Sequence, residues 1–278
     1  ELLVKKAKTR ERHEQHYLHK LQGKVLSALG KWEKAIKAYQ TAHQLDLTDQ
    51  ETIRGIADVA YELADWPSSL SNYQKVLTAL GEADVEQRVD VYYRLGNIKR
   101  EQGQVKQGIN NYEKALALSG EHRLTLEALV GVYAKLNDWK QVAAYKRQIL
   151  DTLTESEERY ALLNDIGDVW SEKDKNVPKA IEALEEAREI KPQDHILLHK
   201  LLQLYQRGGN WEQMAETIQA IADLEERPDI AEMARDRPGG RAIVDHHCLP
   251  RLDQPGGGCG DPVLLGGGER LTVAEIAL

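Results

Sequence analysis

The chain has 278 residues, 29% of them charged and 41% hydrophobic, with a formal net charge of −8. That acidic balance argues against general binding to nucleic acid or to an anionic membrane, both of which need basic surface. The only two cysteines, Cys248 and Cys259, build no disulfide framework, and no apolar run reaches the ~18 residues needed to span a membrane.

Taken in order, residues 1–15 are rich in Lys, Arg, Glu and His. They read as a leading polar helix or as the second helix of a truncated unit. No signal-peptide core stands there. A chain that opens on Glu1 is expected to be processed or to be a piece of something longer. From residue 16 a pattern sets in. Gly23, Gly30, Trp32, Ala35, Tyr39 and Ala42 are followed 34 residues on by Ala57, Ala64, Trp66, Ser69, Tyr73 and Val76. The spacings of three and four put the apolar members on one helical face. The turn residues between them split each unit into two helices.

Six units are expected, at about 16–49, 50–83, 89–122, 123–156, 160–194 and 195–228. Residues 84–88 form a short insertion, Tyr145 sits one place early in its helix, and the fifth unit carries an extra residue in its internal turn. The small residue at the position of Gly23, Ala57, Gly96 and Gly167 lets two helices approach closely. The tryptophans after the turn, Trp32, Trp66, Trp139 and Trp211, are expected to plug the gap to the neighbouring unit. DIAEMARD at 229–236 opens a seventh unit. From residue 237 the composition turns to Gly and Pro, which reads as a disordered tail or an out-of-frame translation.

At these positions the sequence resembles the tetratricopeptide repeat, a 34-residue helix–turn–helix unit. The resemblance covers residues 16–236. Lys99 and Leu26 depart from the aromatic usual in the first helix, and Lys146 from the one usual in the second. The resemblance implies an all-α fold, a right-handed α-solenoid of stacked antiparallel helix pairs.

Residues that such a fold does not need carry the functional signal. In the family, the first helices of successive units line a groove. The equivalent positions here are Lys20 and Lys24, then Arg54, Asp58 and Tyr61, then Tyr93, Arg94, Asn97 and Arg100. This row is mainly basic with two tyrosines, while the fifth unit contributes Asn164, Asp165 and Asp168. A partner protein or peptide with an acidic segment is expected to lie along it. Lys24 and Gly55 stand where chaperone-tail receptors of the family carry Asn, which argues against that specialisation.

No catalytic or cofactor constellation is found. His246, His247, Cys248 and Cys259 are metal ligands by type, but their spacing fits a zinc site poorly. The Gly-rich runs lack the Gly-Lys-Ser/Thr ending of a phosphate loop. The expected function is a non-catalytic scaffold that binds no nucleic acid. The rivals are a docking fragment of a larger enzyme and a self-assembly module whose end units stack between molecules. The oligomeric state and compartment stay open, with the cytoplasm favoured.

Overall fold

The structure, a computed structural model, describes residues 2–225, with side chains from Arg10 to Leu224. The expectations for a seventh unit at 229–236 and for the stretch 237–278, with its His and Cys residues, lie outside the described residues.

Among the described residues the chain is all-α. Six helix pairs follow one another: α1 (Leu2–Ala28) with α2 (Trp32–Leu45), α3 (Gln50–Glu62) with α4 (Trp66–Ala79), and α5 (Val85–Glu101) with α6 (Val105–Leu118). Then come α7 (Arg123–Lys135) with α8 (Trp139–Asp151), α9 (Ser156–Asp168) with α10 (Val177–Ile190), and α11 (His195–Gly208) with α12 (Trp211–Glu225). Each helix packs on its partner in the pair, and each second helix packs on the first helix of the next pair. The result is an α-solenoid, in which a unit touches only its neighbours.

Local chemistry accounts for the helix ends. The side chains of Asp49, Asp65, Asp138, Asn176 and Asp194 accept from backbone N–H groups in the first turns of α3, α4, α8, α10 and α11. Inside every pair the turn holds one residue at positive φ: Gly30, Ala64, Gly103, Asn137, Lys175 and Gly209. The next residue's N–H then bonds back to the last turn of the helix, as Lys31 does to the Leu26 carbonyl at 2.9 Å. This satisfies a carbonyl that the helix end would otherwise leave free.

Three irregularities in the repeat find their structural form. Residues 2–15, read as a leading polar helix or part of a truncated unit, run without interruption into the rest of α1. Residues 85–88 of the insertion are helical and lengthen α5 by a turn at its start. The extra residue of the fifth unit is absorbed as a π-helical turn, Val169–Lys173, at the end of α9. There the closing bond runs from Asn176 to the Trp170 carbonyl, one residue longer than at the other turns.

The tryptophans are not the deep plugs the pattern suggests. Trp32, Trp66 and Trp139 are only half-buried at junctions that are closed, while Trp211 is exposed on α12, after which no further junction is described. The centre belongs to the position seven residues on, where Tyr73 and Tyr112 are fully buried. Tyr145 lies one place early and stacks on Tyr133, ring centroids 5.6 Å apart, leaving Lys146 at that central position.

Candidate functional site

The row of first-helix residues lies on α1, α3 and α5, and its charges are engaged with one another. Lys20 Nζ lies 2.8 Å from Glu51 Oε2 and 3.3 Å from Asp49 Oδ2, and Lys24 also pairs with Glu51. Burial alone would lower the Lys20 pKa, but the bonds to Glu51 and Asp49 outweigh it and raise it. The same bond from Lys20, joined by Lys24, holds the Glu51 carboxyl below its ordinary value.

One unit further on, Arg54 Nε donates to Asp58 Oδ1 at 3.3 Å and its guanidinium also pairs with Asp90. Arg94 Nε reaches the same Asp90 at 3.3 Å and lies 3.9 Å from Asp58. The Tyr73 hydroxyl donates to Asp58 Oδ1 at 2.6 Å. The Arg94 guanidinium stands over the Tyr61 ring, 5.4 Å from its centre, a cation–π contact that bridges α3 and α5. Burial opposes the charge on Arg94, yet Tyr73, Asp90 and Asp58 together hold its pKa above the ordinary value. Burial, with Asp58 beside it, likewise raises the Tyr73 hydroxyl.

Beyond this network, Asn97 is buried and accepts from the Tyr112 hydroxyl at 2.6 Å. Burial pushes that hydroxyl up to about 12. Tyr93 leans on the rings of Tyr112 and His122. Arg100 closes the row and, among the described residues, bonds only to the side chain of its sequence neighbour, Glu101, at 2.9 and 3.3 Å.

The geometry therefore gathers Arg54, Asp58, Tyr61 and Arg94 into one cluster. Lys20 and Lys24 belong to a separate ion cluster one junction earlier, and Arg100 stands at the far end. Besides Asp49, two acids of these clusters escaped the sequence reading, Glu51 and Asp90. Both occupy the second position of their units and pair with the cation at the fifth position of the unit before, Lys20 and Arg54. Aligning units in pairs shows the recurring acid and cation, but that they meet depends on how one first helix is shifted against the next. With these two acids, Asp49 and Glu101 counted beside Asp58, five carboxylates stand against the five cations of the row, which is balanced in charge and not basic.

The acidic fifth unit is neutralised in the same manner. Asp165 pairs with Lys146 at 2.5 Å, and Asp168 takes Lys200 at 2.6 and 2.8 Å. Asn164 turns back to bond the carbonyl of Tyr160 on its own helix. Between α7, α8 and α9 lies a cavity of about 300 Å³ with Val130, Trp139 and Val142 among its walls. Among the described residues no group of three or more His, Cys, Asp or Glu side chains is placed to hold a metal ion. None of the described helices is long and apolar enough to cross a membrane.

Comparison with known proteins accords with this architecture. The tetratricopeptide repeat family model matches residues 89–122, one complete unit. No curated protein matches the chain. Among solved structures, a MamA protein is similar with a TM-score of 0.51 at 16% identity, over 65% of this chain and 94% of that one. A tetratricopeptide repeat protein from Parabacteroides merdae gives a TM-score of 0.50 at 14% identity, over 77% of this chain and 81% of that one. The C-terminal part of a repeat-containing protein from Cytophaga hutchinsonii gives 0.50 at 15% identity, over 78% and 89%. Identities this low speak to the fold alone. The matched unit stands among helix pairs that repeat its turn and its junctions, so the chain has the fold of a tetratricopeptide repeat solenoid.

Proposed function

We propose that this protein is a non-catalytic scaffold that holds a segment of a partner protein along the first-helix face of its first three units. Arrays of this family serve as scaffolds for protein–protein interaction. The observation that carries the finer reading is the network of Arg54, Asp58, Asp90 and Arg94 with Tyr61. It fixes long side chains in place before any partner arrives, so little of their freedom is lost on binding. Tyrosine and arginine are also the residues that dominate interface energies.

The network also determines which cations are free to recognise an acidic segment. Arg54 and Arg94 would have to leave two carboxylates. Arg100 need only leave an adjacent, exposed Glu101, a pair worth about 0–1 kcal/mol. A partner carboxylate is therefore assigned to Arg100, and the tyrosines Tyr61 and Tyr93 to its apolar neighbours.

Short peptides of acidic, mixed and basic composition, arrayed on a surface, test this reading. The acidic and mixed peptides should bind best, and Arg100→Glu should lose the acidic ones while its circular dichroism and melting stay unchanged. An Arg100→Glu protein with the original peptide preference would remove Arg100 from the site. Arg94→Glu is a poorer probe, since it also breaks a packed network and should lower the melting temperature.

A further inference from the structure

The solenoid makes one contact again and again where a helix pair meets the next. The side chain at the Tyr39 position of a second helix lies between its own first helix and the following one. For Tyr39 itself those flanks are Gly23 and Gly55, where an added Cβ would fall 2.8 and 2.5 Å from its ring. At later junctions the residue equivalent to Gly55 is Arg94, Ala128, Asp165 or Lys200. The pairing of Lys146 with Asp165 is this same contact made by charges. Covered in this way, Tyr39, Tyr73, Tyr112 and Leu184 are 5, 0, 0 and 1% exposed.

Among the described residues two halves of the contact remain uncovered. On α12, Ile218 holds the Tyr39 position at 39% exposure and Trp211 the Trp32 position at 66%. On α1, Leu21 stands where α3 has Gly55, and it is 43% exposed. Val25 stands where α3 has Val59, which is 1% exposed against 52% for Val25. The cause is that α3 lies under α2, with Val59 clustered beside Trp32, Ala35 and Ile36, while nothing described covers the face of α1 that carries Leu21 and Val25. Contiguous apolar exposure of this kind marks an interaction surface.

Charge says what fits there. The helix α1 carries seven Lys or Arg against two Glu, and α12 carries four acidic side chains with no Lys or Arg.

We propose that α12 of one copy packs on α1 of another, Ile218 against Leu21 and Trp211 over Val25, and so repeats between molecules the junction that recurs within each. Such a contact is heterologous, and copies add head to tail without closing. A symmetric pairing of two α1 helices would bury the stripe but set like charges together and leave Trp211 and Ile218 uncovered.

Sedimentation velocity on the full chain, over a concentration series at low and high salt, tests the proposal. The average mass should climb with concentration and fall with salt, as opposite charges are screened. Leu21→Glu and Trp211→Glu each block one face, and each should stay monomeric alone. Mixed together, they should form a one-to-one dimer that grows no further, because one intact face remains on each. Should either lose helical circular dichroism, Leu21→Ser or Trp211→Ser takes its place. A wild-type protein that stays monomeric throughout overturns the proposal. So does a mixture that fails to dimerise, or a Trp211→Glu protein that dimerises by itself, which would favour the symmetric pairing.

Discussion

Tyr112 is fully buried, yet its hydroxyl finds Asn97 on the first helix of its own unit, and Tyr73 reaches Asp58 from the same position. This gives a physical reason for a chain with eleven Tyr and no Phe. At the centre of a junction the ring fills the gap and the hydroxyl satisfies a polar group on the neighbouring helix. Tyr112→Phe should therefore cost about 1 kcal/mol in urea unfolding, the worth of one hydrogen bond, with the ring's packing retained. Ala64 offers the opposite case. It holds φ 56° in a turn where three other units use glycine. An L side chain pays roughly 1–2 kcal/mol for this conformation. Ala64→Gly should raise the melting temperature, by an amount reduced by the greater freedom of glycine in the unfolded chain. A variant that melts lower would mean the Ala64 side chain makes a contact worth more than its strain.

At the scale of the element, the helices are tied to one another by acids near the start of one first helix and cations of the first helix before it. Glu51, in the first turn of α3, holds Lys20 and Lys24 of α1. Its pKa is depressed in the folded protein, chiefly by the bond from Lys20. The stabilisation is thus whole above the ordinary Glu value of about 4.3 and is lost as the pH falls through the lowered folded value. Half of the Glu51 side chain is exposed, so the effect is small, below about 1 kcal/mol. In Glu51→Gln the melting temperature at neutral pH should start lower, and its fall between roughly pH 5 and 2 should be shallower than in wild type. Parallel acid curves for the two proteins would show that the pair contributes nothing. The helix pairs and their turns were legible in the sequence, since apolar spacing and turn residues are local signals. The pairing of Glu51 with Lys20 was not, because it depends on how far one first helix is shifted against the next. The insertion before α5 shows the same limit: residues 85–88 could have been loop, and only packing made them a turn of helix.

For the molecule as a whole, stability in a repeat array is close to a sum of units and their nearest-neighbour junctions. A substitution at one junction should accordingly be felt by the helices that meet there before the distant pairs: α5, α6 and α7 for Tyr112→Phe, and α3, α4 and α5 for Arg94→Glu. Hydrogen exchange resolved by peptide would read this as faster exchange confined to those helices. The 34-residue recurrence of small residue, turn and aromatic was enough by itself to determine the solenoid, because each unit builds its core from side chains close in sequence. The opening Gly23–Tyr39 contact, the positive-φ turn and the order of the pairs all follow from it. What only the tertiary structure decided is the character of the surface. Charges that read as a basic row are matched by Asp49 and by Glu51 and Asp90, the last two arriving from the next unit, and among the described residues α1 and α12 keep uncovered the two halves of a contact that every internal junction closes. Those outcomes depend on distances between helices, and the identity of a residue carries no record of the distance to a partner in the next unit.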